Sequence, residues 1–412
     1  MARFGAGLEN SLLRSPAHQL RDTRGAWNRL CREVEDWPGQ AVTATPRRIG
    51  YVLPMSAFPV SFQQDVQAYL DRLAGCDPLA EIPFRPVRPS TVVLREWQLR
   101  AFASALVSRG HPVTELRGLA DLVPYEAFKS GLTFFLGRPH NPSSNTIADL
   151  AATLKAVACH WVRLPQDQLD RMRAIQRKLE VPRRGLTETN RRRLRPFDSH
   201  DNVLALLRLP AEIMAAAEQM AERWPHRAAL QAQRALAISI LTFAPMRIGN
   251  LAGLDRDRHV VRHGRGKAEV VHLVIAGWEV KNRRELEYPL PAPTIALLDR
   301  YLHRFWPTLA VVGTTALFPG RDGAAKGRRG LGQQISKAVF DRTGLRMHPH
   351  LFRHAAAKLY LSVRPGDLEV MRLVLGHETI ATTTGHYAGF ETAAAVRLFD
   401  RTILRLAQEG RP

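Results

Sequence analysis

Apolar residues recur at helical spacing along most of this chain, and only residues 259–290 contain the short apolar runs typical of β-strands. The strand-like runs are 259–262, 269–275 and 285–290. Helical spacing on either side of them predicts helices over 211–222, 227–244, 293–306, 331–341, 350–362, 367–375 and 391–408. Helices around a small antiparallel sheet predict an α+β fold for the second half.

Pro-rich breaks divide the first half into further parts. Residues 1–89 form an N-terminal helical extension in this interpretation, 90–170 a compact helical domain, 171–198 a basic linker and 199–412 the α+β domain. The extension is read as packing on the helical domain, and the alternative is an extra DNA-binding or protein-contact domain.

The charge balance points to a polyanionic partner. The chain has 59 Lys and Arg against 38 Asp and Glu, a formal charge of +21, and phosphate neutralisation dominates nucleic-acid affinity. Ten of the basic residues lie in 171–195. The predicted DNA contacts there are Arg183, Arg184, Arg191, Arg192 and Arg193. A solvated charged face is the alternative interpretation.

Cysteine usage and hydropathy exclude several other classes. The three cysteines, Cys31, Cys76 and Cys159, are far apart and do not form CxxC pairs, so neither a disulfide framework nor a zinc site is expected. The chain contains no apolar run of 18 residues, so no membrane span is predicted. Its first residues do not resemble a secretory signal, and a cytoplasmic location is expected.

Five places carry residues suited to phosphate chemistry. Arg247 follows a helix-breaking proline in an apolar segment, where a charge needs a partner. Lys281 lies on a turn between two strand-like runs. His350 and Arg353 are three residues apart and share a helix face. Guanidinium groups suit phosphate oxygens and stabilise a transition state that gains negative charge.

His377 and Tyr387 complete the set. His377 follows a helix-ending glycine, and Tyr387 lies ten residues later, after a Thr-rich turn. Each of these residues also has a structural interpretation, such as a helix cap or a core aromatic. His348 and His354 are close enough in sequence to compete with His350. Local carboxylate and cysteine ligands are missing, so no metal is predicted here.

The order of these motifs resembles the tyrosine recombinase (phage integrase) family. LTFAPMRIGNLAGL resembles its first arginine box, HLFRHAAAKLYL its second, and LGHETIATTTGHYAGF its terminal His and Tyr segment. The resemblance covers about residues 200–410, and more loosely 90–165, which are similar to the family's core-binding (SAM-like) domain. It implies a multidomain protein with an α-helical core-binding domain and an α+β catalytic domain.

The resemblance also implies a role for each residue. Tyr387 is the nucleophile that forms a 3′-phosphotyrosyl bond, and Arg247 and Arg353 bind the non-bridging oxygens of the scissile phosphate. Lys281 protonates the leaving 5′-oxygen, His350 assists proton transfer at the nucleophile, and His377 hydrogen-bonds the phosphate. No cofactor or metal is required, because the phosphotyrosine keeps the bond energy.

Two positions depart from the family's pattern, and one assignment has a rival. Asn250 stands where an acidic residue is common. His386 occupies the usual tyrosine position, so the loop before Tyr387 holds one extra residue. Lys267, on the preceding turn-like segment, is the rival to Lys281.

The partners that follow from the resemblance are double-stranded DNA, a homotetramer on two DNA sites, and accessory DNA-bending or recombinase proteins. The two domains would clamp the DNA from opposite faces, with the linker crossing the backbone. The chain's length and extension favour integration or excision of a mobile element over resolution. The alternatives are a non-catalytic DNA-binding protein, a type IB topoisomerase and a metal-dependent nuclease.

Overall fold

The structure of the protein is a computed structural model, and it divides into two compact units, Met1–Pro182 and Arg183–Pro412. The structure describes residues 17–34, 37, 40, 50–75, 86–138, 144–180, 185–264, 269–387, 396 and 399–400. Among these residues, no helix combines the length and the apolar character that crossing a membrane requires.

The described residues of the first unit form helices and turns. Its α-helices are α1 (Ala17–Glu33), α2 (Val60–Ala74), α3 (Pro89–Ser108), α4 (Tyr125–Leu136), α5 (Ser144–Val157) and α6 (Gln166–Leu179). One π-helical turn, Ala158–Val162, directly follows α5.

A single apolar core joins α2 to the helices that follow it. Phe62 of α2 lies in the same cluster as Phe102 of α3 and Phe128 of α4. The Asp65 carboxylate of α2 accepts hydrogen bonds from the Leu119 amide (2.7 Å) and the Trp161 indole (2.9 Å). The helix predicted in the N-terminal extension thus packs within the same unit as the helices of residues 90–170, while the predicted domain limits stay predictions.

The second unit combines helices with one small sheet, which confirms the predicted α+β class. Its helices are α7 (Glu188–Leu194), α8 (His200–Met220), α9 (Pro225–Phe243), α10 (Ile248–Ala252), α11 (Ala292–Arg300), α12 (Trp306–Leu309), α13 (Arg328–Thr343), α14 (Pro349–Val363) and α15 (Leu368–Leu375). The strands are β1 (Val260–His263), β2 (Val270–Ile275) and β3 (Leu286–Pro289). Residues 380–387 are also helical.

The sheet is antiparallel, in the order β1-β2-β3. Leu273 of β2 pairs with Val260 of β1 and with Tyr288 of β3. Leu273 and Tyr288 both contribute to the apolar core, in which α9 is buried along much of its length. One face of the sheet therefore packs on the helices, as the alternating burial of β2 indicates.

One predicted helix start differs from the structure by about three turns, and one predicted helix cannot be compared with it. Helix α8 begins at His200 rather than at 211 and continues through Pro210. A proline inside a helix removes one backbone hydrogen bond, but Leu206, Leu209 and Ile213 are buried on either side of Pro210 and stabilise the continuous helix. The helix predicted over 391–408 lies mostly outside the described residues.

The residues predicted as a basic linker are largely helical. Residues 171–179 belong to α6 of the first unit, and α7 follows in the second. Leu194 and Phe197 are buried in the core of the second unit. Lys358 of α14 donates to the Leu194 carbonyl (2.8 Å) and pairs with Asp198 (2.7 Å), which ties this segment to α14.

Candidate active site

Helix α14 carries three of the side chains that build the site. It begins with Pro349 at its first position, where the missing N–H costs no hydrogen bond and the fixed φ suits a helix. His350, Arg353 and His354 follow at spacings of three and four residues, so they lie on one face.

Arg353 is only 2% exposed, and two backbone carbonyls hold its guanidinium. It donates to the Pro245 carbonyl (2.6 Å), just beyond α9, and to the Leu375 carbonyl (2.7 Å), at the end of α15. Among the described residues, no carboxylate forms an ion pair with it. Burial, and then the charge of Arg247, lowers the pKa of Arg353. A buried cation with neutral acceptors and a second cation nearby favours an anion at this place.

Arg247 reaches the same place from a different element. It is the N-cap residue of the short helix α10 and is half-buried. Its guanidinium donates to Asn282 Oδ1 (3.1 Å), and the Asn282 amide group donates to the Gly376 carbonyl. The sequence did not indicate Asn282, although this residue links Arg247 to the segment that carries His377.

Lys281 precedes Asn282 in the connection between β2 and β3. Its side chain is exposed, whereas the neighbouring Val280 is fully buried and anchors the connection. The Asn282 contacts therefore bring the backbone next to Lys281 to the site. Lys267, its rival, lies outside the described residues.

Tyr387 is 1% exposed and lies at the end of the described helical residues 380–387. Its hydroxyl and His354 Nδ1 share a hydrogen bond of 2.9 Å. Its ring stacks nearly parallel to that of His377, with centroids 6.2 Å apart and an interplanar angle of 4°. Burial raises the pKa of Tyr387 to about 12, although the charge of Arg353 opposes this shift. The phenol is therefore protonated at neutral pH.

His350 and His354 sit one helical turn apart, with perpendicular rings whose centroids are 4.7 Å apart. Although the His350 side chain is exposed, desolvation by the surrounding protein, followed by the charge of Arg353, lowers its pKa to about 4. His354 is 5% exposed, and burial lowers its pKa to about 3. Both imidazoles are neutral at pH 7, and it is His354 that shares the bond described above with Tyr387.

His377 follows Gly376, whose left-handed conformation (φ 58°) ends α15. His377 Nδ1 and Thr383 Oγ1 share a hydrogen bond of 2.9 Å, and the His377 carbonyl accepts from Arg372 (3.1 Å). Desolvation, followed by the charges of Arg353 and Arg247, lowers the pKa of His377 to about 4. His377 is thus a buried neutral imidazole beside the nucleophile candidate.

The remaining predicted residues lie in different situations. His386 is exposed, and its ring centroid lies 5.9 Å from that of Tyr387. Arg183 and Arg184 lie outside the described residues, while Arg191 and Arg192 are exposed on α7 and Arg193 is half-buried there. Among the residues that the structure describes, no group of three or more His, Cys, Asp or Glu is placed to hold a metal ion.

Two arginines, neutral histidines and a protonated tyrosine thus lie together on the α+β unit, and this set resembles the catalytic residues of a tyrosine recombinase. Residues 211–393 match the model of the phage integrase family, so this part of the chain is similar to that family.

The individual proteins to which the chain is similar share only a small part of its sequence. The chain is 28% identical to tyrosine recombinase XerC of Pseudomonas aeruginosa over 170 residues, which are 40% of this chain and 50% of the relative. The chain thus spans about half the length of the curated relatives it matches. A solved XerH site-specific recombinase in a post-cleavage complex with its palindromic difH substrate is 15% identical, with a TM-score of 0.42, over 82% of this chain and 93% of that one. A lambda integrase tetramer on a Holliday junction is 14% identical, with a TM-score of 0.44, over 83% and 82%.

Proposed function

We propose that this protein is a site-specific DNA recombinase that cleaves and rejoins DNA strands through a 3′-phosphotyrosyl bond at Tyr387. The observation that carries the proposal is the hydroxyl of Tyr387, bonded to a neutral histidine on the same helix as the buried Arg353. In this proposal the enzyme acts in the reducing cytoplasm on integration or excision of a mobile element.

The positions of the charged groups suit a phosphodiester. The charge of Arg247 lowers the pKa of Arg353, and, after desolvation, the charges of both arginines lower the pKa of His377. A phosphate bound between them would bring two non-bridging oxygens to two guanidinium groups and offset their repulsion. As phosphorus becomes five-coordinate, charge accumulates on those oxygens, so the arginines bind the transition state more tightly than the substrate.

The other residues complete the reaction in this proposal. Tyr387 Oη attacks phosphorus and displaces the 5′-oxygen, which takes a proton from Lys281 on its exposed connection. His350 assists proton transfer at the nucleophile, and His377 donates to the phosphate. The 5′-hydroxyl of a second strand then attacks the phosphotyrosine, and the reverse proton movements restore the enzyme.

Double-stranded DNA is the proposed substrate, held on two sites by four protomers as in the family that the sequence resembles. The excess positive charge and the cations of α7 would contact the backbone. Accessory DNA-bending proteins or a second recombinase belong to the same proposal.

Covalent trapping tests the reaction class and the nucleophile together. Nicked duplexes tiled across the DNA that flanks the coding gene lose a short fragment after cleavage, so the phosphotyrosine cannot be religated. Incubation in EDTA followed by SDS electrophoresis should give a protein–DNA adduct with the wild type and none with Tyr387→Phe.

The control is Tyr125→Phe, because Tyr125 belongs to the first unit, outside the proposed chemistry. It should form the adduct at the wild-type rate, and all three proteins should bind DNA equally. An adduct with Tyr387→Phe would move the nucleophile elsewhere. DNA binding without an adduct from the wild type would favour a non-catalytic DNA-binding protein.

A further inference from the structure

His354 touches the atom that the proposed reaction makes nucleophilic. Its Nδ1 lies 2.9 Å from Tyr387 Oη, and both side chains are at least 95% buried. The two rings pack at an angle of 61°, with centroids 5.6 Å apart. A hydrogen bond of normal length between buried partners fixes the direction in which the hydroxyl points.

We propose that His354 is a catalytic residue of the proposed strand cleavage, in which it accepts the proton of Tyr387. The inference rests on the proposed function and refines it, because the motif order alone assigned assistance at the nucleophile to His350. The required tautomer carries its proton on Nε2, which leaves the lone pair of Nδ1 for the tyrosine.

The proton and electron pairs balance without an additional reactant. The Tyr387 O–H bond breaks as its proton moves to His354 Nδ1, and the phenolic oxygen forms a bond to phosphorus. The bond between phosphorus and the 5′-oxygen then breaks, and the leaving oxygen takes a proton from Lys281. In the rejoining step, His354 returns its proton to the departing phenolate.

Other titratable groups around His354 lower its pKa, and a bound phosphate would change that effect. His350 and Arg353 face it from α14, His348 from the N-cap of α14, and His386 from the segment that carries Tyr387. In the protein alone, these neighbours add to the effect of burial and hold the pKa of His354 to about 3. A phosphate beside Arg353 offsets part of that positive charge, so the imidazole becomes a stronger base as DNA binds.

The pair His354→Asn and His354→Leu tests the role. Asparagine places its Oδ1 near the position of Nδ1, so it keeps a hydrogen-bond acceptor, but it cannot take a proton at neutral pH. Rates of adduct formation on the suicide duplex are measured from pH 6 to 10. At pH 7 we expect His354→Asn to be slower than the wild type by about 10²-fold or more, the usual contribution of a general base.

The pH profile separates proton transfer from structure. Without an internal acceptor, the tyrosine must lose its proton to hydroxide, so the rate of His354→Asn should rise by about tenfold per pH unit while the wild type stays flat. His354→Leu should follow the same slope at a lower rate, since it also loses the hydrogen bond. The control His303→Asn, on an exposed turn of the same unit, should match the wild type.

Two results would overturn the role of His354. One is a wild-type rate for His354→Asn at pH 7, and the other is a deficit that stays constant across the pH range, as a structural defect would produce. If the wild type bound DNA but formed no adduct, the proposed function would fail and the role of His354 with it. An adduct at normal rate from His354→Asn would remove only the role of His354.

Discussion

The candidate site has a buried half and an open half, and they differ in how far their side chains are fixed by contacts within the protein. The buried half consists of Arg353, His354, His377 and Tyr387, and each is bonded to another group of the protein. The open half consists of Arg247, Lys281, His350 and His386, which are partly or fully exposed. A polar group removed from water needs a partner within the protein, whereas an exposed one exchanges water for a ligand. The buried half is therefore preorganised, and the open half is accessible to a ligand, which is DNA in the proposed function.

Replacement of the two arginines should have the largest effects, and it tests whether the two halves differ. Arg353→Ala should abolish adduct formation and lower the free energy of unfolding by roughly 2–5 kcal/mol, because two buried carbonyls lose their donor and a cavity is left. Arg247→Ala should slow adduct formation by about 10²- to 10³-fold, as for the loss of one oxyanion donor. Its stability should stay within about 1 kcal/mol of the wild type.

Urea unfolding and suicide-substrate kinetics on the same preparations provide both quantities. Equal losses of stability in the two variants would contradict the division into buried and open halves. Unchanged kinetics in Arg247→Ala would remove its assigned role.

Asn282 joins the two halves, so its replacement should have an intermediate effect. Asn282→Leu removes both the acceptor for Arg247 and the donor to the Gly376 carbonyl, and we expect adduct formation about 10- to 100-fold slower. Asn282→Asp keeps the acceptor and should recover part of the rate. The kinetics are measured with saturating DNA, so that a loss of affinity is distinguished from a slower chemical step.

Glu285→Gln is the control, because it changes an exposed side chain of the same connection. It should leave the rate unchanged. If Asn282→Leu reacted as fast as this control, Arg247 would not depend on the bridge.

The smallest expected effect is on the pH dependence of folding. The pKa values of His354 and His377 lie at about 3 and about 4, below the unfolded value of 6.5. The unfolded chain therefore binds more protons than the folded protein. The free energy of unfolding gained from keeping these two histidines neutral is complete above pH 6.5 and decreases as the pH falls towards 4. Each histidine should contribute on the order of 2 kcal/mol to the decrease between pH 6.5 and 4.5.

Urea unfolding at half-unit pH steps measures the slope. His354→Asn should reduce the pH dependence of the free energy of unfolding by the contribution of one histidine. His303→Asn should leave this pH dependence unchanged. A wild-type protein whose stability did not change from pH 7 to 4.5 would show that the buried half is not held neutral.

The sequence predicted the α+β class and most helices because apolar spacing reports which face of an element is buried. It missed the start of α8 because Pro210 is locally unfavourable in a helix and only the packing of its neighbours compensates. Within the site, helix periodicity placed His350 and Arg353 on one face, and it left His354 as a rival to His350. It did not reveal which imidazole meets Tyr387, because that depends on where residues 380–387 dock.

Asn282 shows the same limit more sharply. Its amide contacts a carbonyl that is 94 residues away in the sequence, and no local pattern marks such a pair. Residues whose own chemistry suits the proposed reaction, such as Tyr387, could be proposed from the sequence. Residues that act by connecting distant segments were found only from the fold.

Gly376 has a consequence for how this sequence can evolve. Its backbone is left-handed, and a Cβ atom placed on it would lie 2.5 Å from Leu286 Cδ2. Its carbonyl accepts from Asn282, the preceding carbonyl accepts from Arg353, and the next residue is His377. A side chain at 376 would strain the left-handed backbone and press on Leu286, so we expect it to disturb all three groups at once. We therefore expect substitutions on the exposed surface around the site to be tolerated more readily than a side chain at this position.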